Sequence, residues 1–182
     1  MLFNFFIIHP PLCRSEGDEA RKILFYHSSN QNTTLVQQLK DIGLAEALNQ
    51  ISKNFSGSCE ALRTQKYTHA FLEPEENFLI SLVIKNGDSA INYALLSAGT
   101  LILKYLQKIK IKLVVADWYD LFSRINGSLN NLMINESLED AKNVIADFFM
   151  ACLQKMPLHS YSLPELFRSF QFSSDKSFVS IL

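Results

Sequence analysis

The chain has 182 residues, a net charge of −1 and 48% hydrophobic residues. That balance fits one globular domain whose core removes about 70% of the unfolded surface from water. Scattered Lys and Arg with near-neutral charge argue against a polyanion footprint or a polybasic membrane patch, so nucleic acid is not an expected partner.

Leu2–Ile8 has no basic residue before it and no small-residue cleavage site after it, and it reads as a buried strand rather than a secretory segment. His9-Pro10-Pro11 breaks that strand, and Ile23–His27 follows as a second strand paired with the first in a long hairpin. Ser28–Thr34 is a polar loop in which Thr33 or Thr34 can accept a bond from the orphan amides of a following helix. In that helix Leu44, Ala47, Leu48, Ile51 and Phe55 form one stripe of a 3.6-residue period, predicted to cover a sheet face, and Gly57 stands where the helix stops.

Residues 60–84 return to strand patterning, with two or three strands depending on a turn near Lys66. Tyr67, His69 and Phe71 alternate like a half-buried strand, and Leu79, Leu82, Val83 and Ile84 form a more continuous apolar run. Between them Glu73-Pro74-Glu75-Glu76-Asn77 reads as a solvated acidic turn, because Pro74 cannot donate to a ladder and Asn77 readily turns the chain. Residues 89–103 are uncharged, but they are too short and too rich in Ser, Asn, Gly and Thr to span a membrane. Ile109, Ile111 and Leu113 alternate with lysines like a strand; Ile111, Val114, Trp118, Leu121, Phe122 and Ile125 repeat like a helix, the favoured reading, ending at Asn126-Gly127. Ser137-Leu138-Glu139-Asp140 resembles a capping box, and Leu138, Ala141, Ile145, Phe148, Cys152 and Met156 continue from it as a helical stripe closed by Pro157. The apolar tail from His159 carries Leu163, Leu166, Phe167, Phe170, Phe172 and Phe178, and reads as the start of a linker to a further domain. The domain organisation expected is thus a unit over residues 1–158 and a linker over 159–182.

Little in this pattern carries chemistry. Cys13, Cys59 and Cys152 lack metal or disulfide spacing and fit a reducing, cytosolic compartment. His9, His27, His69 and His159 are far apart, so no metal site is expected. A nucleophilic pair assembled from Cys59 and His69, or paired acids among Glu73, Glu75 and Glu76, is the sharper reading of those residues; a structural role is the favoured one. No glycine-rich phosphate loop is present, and Trp118, Phe148 and Phe149 sit at the helical spacing of core residues. No cofactor and no catalytic side chain are expected.

The order is α+β: an antiparallel five-stranded sheet, β-β-α-β-β-β-α-α, with helices on both faces. Lys22-Ile23-Leu24-Phe25-Tyr26-His27, Ile42-Gly43-Leu44-Ala45-Glu46-Ala47 leading to Phe55, Thr64-Gln65-Lys66, and Glu73-Pro74-Glu75-Glu76-Asn77-Phe78 together resemble the first longin domain of the Ccz/Inturned/Hermansky-Pudlak family. The chain departs from that pattern at Leu79, where a Trp is usual, and at Arg63, where a His is usual. The resemblance implies a subunit of a heterodimeric guanine nucleotide exchange factor for a late-endosomal or vacuolar Rab GTPase. It implies a Mon-type longin subunit as partner, peripheral membrane association through the complex, and no catalysis by side chains. A longin-type adaptor without exchange activity is the alternative. The partner-binding candidates are Leu44 and Leu48 on the first helix and Phe78, Leu79 and Leu82 on the last strand.

Overall fold

A computed structural model describes residues 2–30, 32–56, 61–86 and 98–155. Five strands, β1 (Leu2–Ile8), β2 (Ile23–Ser28), β3 (Ala61–Arg63), β4 (Tyr67–Leu72) and β5 (Leu79–Lys85), form one antiparallel sheet in the order β2-β1-β5-β4-β3. The β1–β2 hairpin is closed by two short 3-10 turns, Pro10–Leu12 and Glu19–Lys22, the first with Pro in its opening turn where no amide is needed. Near Lys66 the chain does turn: the Thr64 amide donates to the Tyr67 carbonyl at 2.8 Å and the Thr64 hydroxyl accepts from the Tyr67 amide at 3.1 Å.

Among the described residues four helices cover the sheet: α1 (Leu35–Ser56) lies on one face, and α2 (Ala98–Asn126), α3 (Leu129–Asn135) and α4 (Leu138–Lys155) lie on the other. Phe6, Ile8, Phe71, Leu79 and Val83 pack with Ile42 and Ala45 of α1. The opposite parity, Phe5, Ile7, Ala70, Ile80 and Leu82, packs with Val115, Phe122, Ile145 and Phe149. Because both faces are covered, β4 is not half-buried as its alternation predicts: Thr68, His69, Ala70 and Phe71 are all buried. Aromatic rings dominate the larger core, where Phe5 meets Trp118 edge-on at 5.6 Å and Phe149 at 5.4 Å.

The helix starts follow the expected caps. Thr34 accepts the Gln37 amide at 3.3 Å, and Ser137 accepts the Asp140 amide at 3.2 Å. The helix predicted to end at Asn126-Gly127 does so, with Gly127 at φ +82°, a left-handed conformation suited to glycine. A third, seven-residue helix then intervenes before α4, capped by Ser128. On α4 the buried row is Ala141, Ile145, Phe149 and Leu153; Phe148 and Cys152, predicted to face inward, are only part-buried. The true row climbs by four residues per step and turns slowly around the helix, and the apolar stripe read from sequence lies beside it. Gly57, Cys59, Met156, Pro157 and the tail from His159 lie outside the described residues.

Candidate interaction surface

The acidic turn between β4 and β5 is bonded to both helix layers while Glu73, Glu76 and Asn77 stay exposed to solvent as expected. Glu73 accepts from Asn49 at 2.7 Å and from Lys53 at 2.7 Å, both on α1. Two residues on, Glu75 reaches the other layer, where it accepts from the amides of Leu129 at 2.6 Å and Asn130 at 2.9 Å and from the Tyr119 hydroxyl. Burial pushes the Glu75 carboxyl up, but these donors outweigh it and hold it below the usual carboxylate range. Neither glutamate is half of a paired acid. Asn77, at φ +64°, ends the turn and offers its carbonyl to His9 Nδ1 at 3.0 Å.

The same kind of long-range pairing sets the roll of α1. Asp41 accepts from Asn4 at 2.9 Å and Tyr26 at 2.8 Å on the sheet, and from Gln37 at 2.8 Å. Lys22 reaches Glu46 at 2.6 Å from the turn before β2. Burial, then the hydrogen bond to Asp41, push the Tyr26 phenol well above its ordinary range. Asn49 and Ser52 are also buried, so the sheet-facing side of α1 mixes Ile42 and Ala45 with polar groups that find partners.

Satisfying those groups turns the predicted stripe outward. Leu44 is 55% and Ile51 50% exposed, Ala47 is exposed, and Leu48 is part-buried against the smaller core. Leu35 and Val36 add exposed apolar surface at the start of the helix. The expectation that Leu44, Ala47 and Ile51 cover the sheet is therefore overturned. The side chain of Phe55 lies outside the described residues.

Phe78, Leu79 and Leu82 do not join this surface. They are 1%, 5% and 2% exposed and belong to the domain's own core, because β5 is interior to the sheet and helices cover both of its faces. A continuous apolar run marks a strand buried on both sides, and here it does so without leaving side chains for a partner. Of the five candidates, Leu44 is exposed and Leu48 is part-buried against the smaller core.

His69 is buried and 4% exposed, with no hydrogen-bond partner at Nδ1, and burial lowers its basicity, as it does for His27. Its partner in the sharper reading, Cys59, lies outside the described residues. Among the described residues no group of three or more His, Cys, Asp or Glu is placed to hold a metal, and no helix is long and apolar enough to cross a membrane. What the arrangement offers is an amphipathic helix with its surplus apolar side turned to solvent, a known mark of a protein-binding face.

Residues 2–127 match the protein family described as the first Longin domain of INTU, CCZ1 and HPS4. The chain is 31% identical over 178 residues to a vacuolar fusion protein CCZ1 homolog of Xenopus tropicalis, covering 94% of this chain. The similarly named protein of Danio rerio is 27% identical over 177 residues, and that of Dictyostelium discoideum 27% identical over 170 residues and 88% of this chain. The chain spans about a third of the length of these curated relatives, 36% in each case. At 94% coverage the unmatched remainder is shorter than the tail after Lys155, so the likeness to the frog protein runs past α4.

Proposed function

The chain belongs to the family of first longin domains described for INTU, CCZ1 and HPS4, and from that membership we propose that it acts as one subunit of a heterodimeric guanine nucleotide exchange factor for a Rab-family GTPase. Its relatives carry the name of vacuolar fusion proteins, which supports work on late-endosomal, lysosomal or vacuolar membranes, reached peripherally through the complex. The outward apolar side of α1 carries the reading. A second longin-type subunit, of the Mon type, docks there through half-exposed Leu44 and Ile51, with part-buried Leu48 beside them.

Exchange in such an assembly needs no acid, base or nucleophile. A composite surface that binds the nucleotide-free GTPase more tightly than the loaded form lowers the cost of nucleotide loss by the difference in affinity. The domain's part is to present a rigid face, and the Glu73 and Glu75 bonds that tie both helix layers to one turn serve that rigidity. The test is release of a labelled nucleotide from the Rab in the presence of the complex containing this chain. Acceleration over the GTPase alone supports the proposal; stable assembly with no acceleration assigns the chain to the adaptor role instead.

A further inference from the structure

From Leu113 onward the exposed positions of α2 are Leu113, Asp117, Asp120, Leu121, Arg124 and Ile125. At 3.6 residues per turn they fall in one sector, less than half of the helix circumference and ~18 Å of its length. Leu113, Leu121 and Ile125 are 45%, 45% and 55% exposed, while Val115 and Phe122 on the other side are in the core. The sector therefore carries aliphatic surface that the domain does not bury.

Its charges run along the middle, with Leu121 and Ile125 on one flank. Asp117 has no ion-pair partner among the described residues, and burial, then neighbouring Asp120, push its carboxyl up, as in an acid short of a cation. Asp120 holds Arg124 at 2.7 Å, but the two side chains are 63% and 75% exposed. A pair so solvated contributes little, so the guanidinium is free to reach a second carboxylate.

An acid and a base on one strip select the occupant. An antiparallel two-fold exchanges positions equally far from its axis, so an axis between residues 120 and 121 sets Asp117 opposite Arg124 of a second copy, and does so twice. Such an axis stands perpendicular to the plane of the two helices, and each flank then meets its own copy. Leu121 lies against Leu121 of the second copy, and Ile125 comes opposite Ala116, a small, half-buried residue that leaves room for it. A foreign partner would have to bring both the cation and the aliphatic flank; this chain already has them.

We propose that two copies of the chain associate through the solvent-facing side of α2, antiparallel, with Asp117 of each bonded to Arg124 of the other and Leu121 and Ile125 closing the apolar flank. One helix from each copy buries less than the ~1,200 Å² of a stable interface, so the dimer is weak and depends on concentration. Because α1 lies on the other face of the sheet, this contact leaves the face assigned to a longin-type subunit free and does not rest on that assignment.

Sedimentation equilibrium of the full 182-residue chain at rising concentration tests this. The mass should climb toward that of a dimer, and Leu121→Asp should abolish the rise. Asp117→Arg alone and Arg124→Asp alone should each weaken association by about tenfold or more, because each sets like charges opposite one another. An equal mixture of these two variants should regain the parental association, since each supplies the charge that the other lacks, a rescue that a merely damaged fold would not give. A parent still monomeric at ~1 mM, single reversals that associate like the parent, or no regain on mixing would overturn the proposal. So would association that Leu44→Asp/Ile51→Asp abolishes, which would place the contact on α1.

Discussion

Replacing Glu75 with Ala removes one carboxylate and leaves three donors without their acceptor: the Tyr119 hydroxyl and the amides of Leu129 and Asn130. The two amides belong to the first turn of α3, where losing a side-chain cap costs about 1 kcal/mol. The third donor is a part-buried phenol whose bond to a charged acceptor contributes ~1.5–3 kcal/mol when fully shielded and less at this partly solvated turn. Glu75→Ala should therefore destabilise the domain by ~2–3 kcal/mol in urea unfolding, and its cycle with Tyr119→Phe should show coupling of ~1 kcal/mol. Because the folded carboxyl titrates below its ordinary value of 4.5, its stabilisation is present above about pH 4.5 and is lost as the pH falls through the lower folded value. The variant should accordingly lose less stability on acidification than the parent. A cost under ~0.5 kcal/mol, additive behaviour with Tyr119→Phe, or equal acid sensitivity in the two proteins would refute the clamp.

Asp41→Ala should cost ~1–3 kcal/mol by stranding the buried Asn4 amide. The same change should bring the Tyr26 phenol down toward its ordinary value of 10.0, read by ultraviolet titration of phenolate. Phe149→Ala, which empties a fully buried site among Phe5, Phe25 and Phe122, should cost ~3–5 kcal/mol in the same unfolding assay. Cys152, its thiol pushed up to about 11 mainly by burial, should react with a thiol reagent at pH 8 far more slowly than a free cysteine peptide.

Most of the sheet was legible because breakers bound β1 and β5, His9-Pro10-Pro11 after the one and Asn77 before the other, and because period-2 and continuous apolar runs need no distant information; the sequence alone leaves the β3–β4 boundary near Lys66 open. The roll of α1 was not legible. Its apolar stripe is real, but its inward side is chosen by Asp41, Asn49 and Glu46, whose partners Asn4, Tyr26, Glu73 and Lys22 stand far along the chain or on other elements. The acidic turn misled for the same reason: local sequence shows three glutamates and no sign that Glu75 caps a helix 54 residues away. Phe78, Leu79 and Leu82 are hydrophobic and buried, and hydrophobicity by itself marks the core more often than a partner face. Ser128 behind Gly127, followed by Leu129 and Leu132, was the available signal for α3, and a seven-residue helix offers little more.

The most direct test is the affinity of this domain for a Mon-type longin subunit, measured by titration for the parent and for the Leu44→Asp/Ile51→Asp variant, each checked by urea unfolding. Both side chains are half exposed, so the variant should keep the parental unfolding midpoint while binding weakens by tenfold or more, about 1.4 kcal/mol at least. Unchanged affinity, or a loss of binding that merely tracks a lowered unfolding midpoint, would contradict the assignment of the α1 face to a partner.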